Sequence, residues 1–157
     1  MATQTPSDVQ TALTNSSLMS FAESAIKNRY SSPKMTEKNI LDIKRGRNPL
    51  QELCIDTFVP NGCRLTGGSN AVGAGSEAGG QSEKFASIVL LTGPDHSGKT
   101  VYVKQVALIT YMAHLGSFVP AESAVIGITD KIITCLQTKE SAFMVFLSNP
   151  PVLEVSN

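Results

Sequence analysis

Residues 89–109 read VLLTGPDHSGKTVYVKQVALI, an apolar run, a glycine-bounded loop and then a stretch with helical periodicity. Gly93, four intervening residues, Gly98, Lys99 and Thr100 fit G-x-x-x-x-G-K-[ST], and the flanks are those the pattern requires, a strand before and an amphipathic helix after. At ordinary usage of Gly, Lys, Ser and Thr, a chain of this length meets the pattern by chance about once in 200. The flanking context therefore carries the reading. Glycines let the backbone turn so that successive N–H groups converge on phosphate oxygens with no Cβ in the way. A helix opening at Gly98 or Lys99 adds its unsatisfied N–H groups and the positive end of its dipole. Gly93, Pro94, Asp95, His96, Ser97 and Gly98 are the expected cradle, with Lys99 reaching the β and γ phosphates and the Thr100 hydroxyl ligating Mg²⁺.

The rest of the composition bounds what surrounds this loop. At 157 residues the chain can bury one ordinary core without staples. Its 13 Lys and Arg balance 13 Asp and Glu, which excludes the basic field of a free-standing DNA-binding domain. Cys54, Cys63 and Cys135 are odd in number and lack C-x-x-C spacing, against both a zinc site and a disulfide framework, and a reducing intracellular compartment is expected. No segment reaches the ~18 apolar residues of a membrane span. The opening MATQTPSDVQTALTNSS has neither the apolar core of a signal peptide nor the arginines of a transit peptide, so a soluble chain with no membrane partner is expected.

Along the chain, residues 1–17 are polar and Ser/Thr-rich and predict a disordered or weakly helical lead. SLMSFAESAIKNRY then places Leu18, Phe21, Ala25 and Tyr30 near helical spacing. NILDIKRGRNP alternates as a strand that stops at Gly46 and Pro49, and DTFVPNG reads as a second short strand closed by Pro60, Asn61 and Gly62. Residues 66–82, TGGSNAVGAGSEAGGQS, have the composition of a flexible insertion, expected to interrupt a sheet rather than to separate domains. The helix after the loop carries Tyr102, Val106, Ile109 and Ala113 on one face and Val101, Leu108 and Leu115 on another, as a helix packed on both sides does. Two short apolar runs follow, Ala124 to Ile128 and Ile132 to Leu136.

The ordered series LDIKRGRNP, FVPN, TGPDHSGKT, VYVKQVALITYMAHLGSFVPAESAVIGITDKI and SAFM resembles the start of the ATPase domain of the MutS DNA mismatch-repair family, over about residues 18–145. Val101 and KQVALI lean toward the meiotic homologue that pairs with another MutS homologue to promote crossovers. The resemblance implies an α/β fold, a partial P-loop NTPase sheet with flanking helices preceded by a short helix. Residues 18–145 would be the N-terminal part of that domain, and 146–157 a divergent tail. It implies ATP or ADP with Mg²⁺ as ligands and a parent protein that undergoes ATP-gated binding to mismatched or branched DNA. A second MutS homologue and DNA would be partners of that full-length parent in the nucleus, with no direct DNA contact from this segment. Phe58, in the FVPN position, is similar to the family aromatic that stacks on adenine, although the residues alone read it as core. Asp130, in the IG..D position, reads as a turn or cap residue, and His96 and His114 as loop and helix surface.

The departures from the family pattern are specific. Asp95 replaces an Asn and sets a carboxylate beside the phosphates, Asn48 replaces a His, Cys135 replaces an Arg, and Phe146 followed by SNPPVLEVSN replaces an acidic residue and a helix. No run of four apolar residues ending in Asp follows Thr100, so the Mg²⁺-holding strand of a P-loop ATPase is missing from the expected set and unaided hydrolysis is not expected. Two other readings stay open at this point. One is a non-catalytic interaction fragment or truncated gene product with a relic loop. The other is a small P-loop nucleotide kinase, which would need acceptor-site arginines, and no arginine follows Thr100.

Overall fold

A computed structural model describes residues 6–67, 86–135, 143–148 and 152–155. Helix α1 (Pro6–Asn28) leads into strands β1 (Lys34–Thr36), β2 (Ile40–Gly46) and β3 (Asn61–Thr66). Strand β4 (Ile88–Leu91) feeds helix α2 (Lys99–His114), followed by β5 (Ser123–Gly127), β6 (Lys131–Cys135), β7 (Phe143–Ser148) and β8 (Val152–Val155). The strands form two four-stranded sheets, ordered β1-β5-β2-β3 and β4-β8-β7-β6. Each is mixed: β1 runs parallel to β5 and β4 parallel to β8, and the other pairings are antiparallel. The fold is α/β, as expected.

Helix α2 touches β2 of the first sheet and β7 and β8 of the second. Val103, Val106, Ile109 and Ala113 recur at helical spacing and pack against Leu41, Ile43, Leu65, Ala124 and Ile126 of the first sheet. Val89, Leu91 and Ile132 of the second sheet lie partly buried against the same cluster. Each fully buried aliphatic side chain here stabilises by about 1.5–3 kcal/mol. Packing on both sides is thus present, but Leu115 is half exposed because the helix has already ended and turned at Gly116.

The alternation expected for β2 holds up to Ile43 and then changes. Between Ile43 and Gly46 the register with β3 slips by one residue, a bulge, with Arg45 in the left-handed region at φ 48°. Without it Arg45 would point into the core. With it Lys44 and Arg45 both face solvent, and Gly46 turns inward. A Cβ on Gly46 would lie 2.8 Å from Gln105 Nε2 and 2.9 Å from Ile109 Cδ1, so the residue expected only to stop the strand lies hard against α2.

DTFVPNG is not a strand. Residues 55–60 are an irregular loop and β3 begins at Asn61, because Pro60 has no N–H to give a ladder and the chain can pair only after it. The Gly/Ser-rich insertion joins two sheets rather than interrupting one, since β3 and β4 belong to different sheets. Thr66 N–H donates to the Ala86 carbonyl at 3.0 Å, so its ends are close; its residues 68–82 lie outside the described residues. The tail from residue 146 enters the second sheet as the end of β7 and as β8, while Pro150 and Pro151 lie outside the described residues.

From Pro6 the polar lead is helical, continuous with the predicted helix. Pro6 occupies the first helical position, where its missing N–H costs nothing. The hydroxyls of Thr14, Ser17 and Ser20 turn back to carbonyls four residues earlier, at 2.9–3.0 Å, so these residues satisfy themselves within the helix. Only the C-terminal end of α1 is docked: Ala25 is buried, Phe21 and Tyr30 are half-buried, and Leu18 is exposed. Arg29 at φ 53° and the Tyr30 N–H bond to the Ala25 carbonyl close the helix in a Schellman motif. The Arg47 guanidinium donates to the carbonyls of Asn28 and Arg29, both at 3.0 Å, and pairs with Glu52 at 2.6 Å.

Two outcomes follow from these contacts. Gly46→Ala forces β2 and α2 apart and should lower unfolding free energy by about 1–3 kcal/mol, measured by urea denaturation. Arg29→Gly removes the Cβ strain at φ 53° and should raise it by about 1 kcal/mol in the same measurement.

Candidate functional site

Strand β4 ends at Leu91 and α2 starts at Lys99, so Thr92–Gly98 form the connecting loop, all of it exposed. Gly98 stands at the helix N-cap with φ 93° and ψ 6°, a left-handed backbone open to glycine at no steric cost. A Cβ there would meet nothing within 4 Å, so the demand for glycine is conformational. His96 is also left-handed, at φ 61°, and the Ser97 N–H closes a turn onto the Pro94 carbonyl at 3.3 Å. No side chain caps α2, which leaves the N–H groups of its first turn as donors toward the loop. Lys99 Nζ curls into that loop and donates to the carbonyls of Gly93 and, at 3.3 Å, Pro94.

Two hollows flank the loop. One of about 380 Å³ follows the chain from Asp95 through His96, Ser97, Gly98, Lys99 and Thr100 to Val101. The other, about 560 Å³, runs from Gly98 and Lys99 across Tyr102 and Gln105 to Phe58 and Asn61. Phe58 therefore lies half-buried at the edge of the same cleft as the loop, forty residues away in sequence from Gly98. Core burial, which the local pattern favoured, is not where it sits. Among the described residues no group of three His, Cys, Asp or Glu side chains could hold a metal, and Thr100 is exposed in the first turn of α2.

Three residues that pattern reading did not assign to the site hold it together. Tyr102 and Gln105 are one turn apart on α2 and reach consecutive carbonyls at the start of β3, Tyr102 OH to Gly62 at 2.8 Å and Gln105 Nε2 to Asn61 at 3.5 Å. They tie the helix that opens at the loop to the segment carrying Phe58. Asn48 is buried and accepts at Oδ1 from the N–H groups of Leu50 and Gln51, at 3.1 and 3.2 Å, while Nδ2 donates to the Val101 carbonyl at 3.3 Å. The signal for these was weak, because their partners lie 44, 40 and 53 residues away in the chain.

Asp130 is exposed in the bend before β6, and the connection there is made by His114 instead. The Thr129 N–H donates to His114 Nε2 at 2.9 Å, which fixes the tautomer, so Nδ1–H donates to the Thr110 carbonyl at 2.8 Å. His114 thus clips the end of α2 to the β5–β6 turn, more than a surface residue would. Burial pushes the Cys63 thiol above its ordinary range, partly offset by its hydrogen bond with Tyr102. Burial also pushes the Tyr102 phenol well above the usual tyrosine range, helped by the neighbouring Cys63.

A strand, a glycine-bounded loop whose GKT glycine is left-handed, and a helix packed on mixed sheets define an α/β domain of the P-loop class. The family model MutS domain V matches residues 89–150, past residue 145 where the resemblance read from the sequence ends. The chain is 39% identical over 127 residues to MutS protein homolog 5 of Saccharomyces cerevisiae, covering 80% of this chain and 14% of that protein. It is 37% identical over 139 residues to the DNA mismatch repair protein MutS of Alkaliphilus oremlandii, and 40% identical over 139 residues to that of Acetivibrio thermocellus, in both cases over 83% of this chain and 14% of the relative. The chain belongs to the MutS family and carries part of its ATPase domain, domain V. It spans about one seventh of the length of these relatives. No helix of the described residues is long and apolar enough to cross a membrane.

Cys63 and Tyr102 predict an alkaline limit to stability. Both groups hold their protons more tightly when folded, so their contribution is complete below the ordinary thiol and phenol values and is lost as pH rises past them. Unfolding free energy should be flat to about pH 8 and fall above about pH 9. The Cys63→Ala, Tyr102→Phe double variant should show a shallower fall in denaturation series across that range.

Proposed function

We propose that this chain is an ATP-binding piece of a MutS-family protein, holding the phosphates of ATP or ADP on Gly93–Thr100 with Mg²⁺ at the Thr100 hydroxyl. The observation that carries the reading is the cleft of about 560 Å³ with the GKT helix start on one side and Phe58 on the other. Phosphates at the loop would exchange the Lys99 bonds to Gly93 and Pro94 for bonds to phosphate oxygens, and the uncapped first turn of α2 would supply N–H donors and its positive dipole end. Phe58 would give the base a flat apolar face.

At the level of the whole protein, the reading is a mismatch-repair or meiotic recombination factor of the nucleus. Nucleotide occupancy would gate its hold on mismatched or branched DNA, and a second MutS homologue would complete the assembly. The relative named DNA mismatch repair protein MutS supports the mismatch-repair branch, and the likeness of Val101 and KQVALI to the meiotic homologue supports the other. The net charge of zero fits a segment that leaves DNA contact to other parts of such a protein.

Mg-ATP should raise the melting temperature of the purified chain, since a ligand that binds only the native state stabilises by mass action, and Lys99→Ala should remove the rise. Equal shifts in the two proteins would rule out the loop as the site. Asp95 is exposed in the hollow that follows the loop, where its carboxylate faces incoming phosphate charge. Asp95→Asn should tighten ATP binding about twofold to fivefold, the scale of exposed charge pairs. Titrations at two salt concentrations check the cause, because the gain should shrink as salt rises.

A further inference from the structure

Among the described residues, two buried side-chain oxygens lack a hydrogen-bond partner, Thr66 Oγ1 and Gln105 Oε1. Gln105 is only 1% exposed, and it is the one of the two that lines the cleft between the phosphate loop and Phe58. A buried amide oxygen without a donor is costly, and a ligand that brings an N–H to it recovers that cost.

The amide cannot simply turn over to suit any ligand. Nε2 donates to the Asn61 carbonyl at 3.5 Å and lies over Gly46, at a point where even a Cβ would stand 2.8 Å away. Reversing the amide would set Oε1 against the Asn61 carbonyl, acceptor against acceptor. The amide is therefore held with Oε1, an acceptor, as its atom without a partner. The phosphate loop grips a group common to all nucleoside triphosphates, and an aromatic face stacks on any purine, so neither selects the base. What distinguishes adenine from guanine or hypoxanthine at the six position is an amino donor in place of a keto acceptor.

We propose that Gln105 determines base specificity, its Oε1 accepting a hydrogen bond from the exocyclic amine of a 6-aminopurine and disfavouring a 6-oxopurine. The proposal rests on the nucleotide-binding reading above. Sites that hydrogen-bond a ligand group reject analogues lacking it, because the site's own polar atom is then left unpaired.

The test is a set of titrations with ATP, ITP, N6,N6-dimethyl-ATP and inorganic tripolyphosphate, each with Mg²⁺. With the unaltered chain, ATP should bind about tenfold more tightly than ITP or the dimethyl analogue, the scale of one buried hydrogen bond. Because that comparison changes only the ligand, it does not depend on any variant folding. In Gln105→Leu, and in the more conservative Gln105→Met, ATP and ITP should bind alike while tripolyphosphate binding is kept. Equal affinities for ATP and ITP in the unaltered chain, with both binding, would overturn the role of Gln105 and leave the nucleotide reading standing. Loss of ATP and ITP affinity in equal proportion in the variants, with discrimination kept, would also overturn it, reducing Gln105 to a prop for the Asn61 loop. No binding of ATP or tripolyphosphate by the unaltered chain would remove the nucleotide reading, and the assignment with it.

Discussion

Helix α2 can sit between two sheets because β2 presents no side chain at Gly46. The bulge before it sends Lys44 and Arg45 to solvent and brings the bare Cα against Gln105 and Ile109. That close approach sets the depth of α2, and with it the burial of Val103, Val106, Ile109 and Ala113 against the first sheet. The Thr92–Gly98 loop inherits its position from the same contact, since it joins β4 to the first turn of α2. Strand β4 lies in the other sheet, so the loop spans the two layers.

The same helix links the two ends of the candidate site. Gln105 both packs on Gly46 and grips the Asn61 carbonyl, and Tyr102 grips the next carbonyl, so the segment after Phe58 is referenced to the helix that opens at Lys99. Asn48 adds a third tie, from the turn after β2 to the Val101 carbonyl. Phe58, on an irregular loop, is thereby held relative to the Gly93–Thr100 loop across one cleft. Side chains held by surrounding hydrogen bonds keep such geometry better than free loops do.

Membership of the MutS family places the chain within one ATPase domain, and the departures from the family pattern have distinct physical meanings. Asn48, in the position of a His, makes four hydrogen bonds when its backbone carbonyl, which accepts from Glu52 N–H, is included, so its role is structural. Asp95, in the position of an Asn by resemblance, is exposed, so the exchange adds a charge without altering the packed core. The residues after 145 continue into β7 and β8, with Glu154 of β8 in register with Leu90 of β4.

The turn at Gly98, β2, β4 and α2 were legible in the sequence because each is fixed by local rules: glycine where the backbone turns left-handed, alternation for a strand, helical spacing for a buried face. Local rules also misled. Pro60, Asn61 and Gly62 read as the end of a strand, although a proline without an N–H precedes a ladder as naturally as it ends one. The Ser/Thr-rich lead, read as disordered or weakly helical, is helical from Pro6, with hydroxyls bonded to carbonyls one turn back. Gly46 as the contact between β2 and α2, and the grip of Tyr102, Gln105 and Asn48, were decided only by the tertiary structure, whereas Phe58 came by resemblance against a local pattern that read it as core. Their partners are far away in the chain, and no periodicity or composition encodes which distant carbonyl a buried amide will meet.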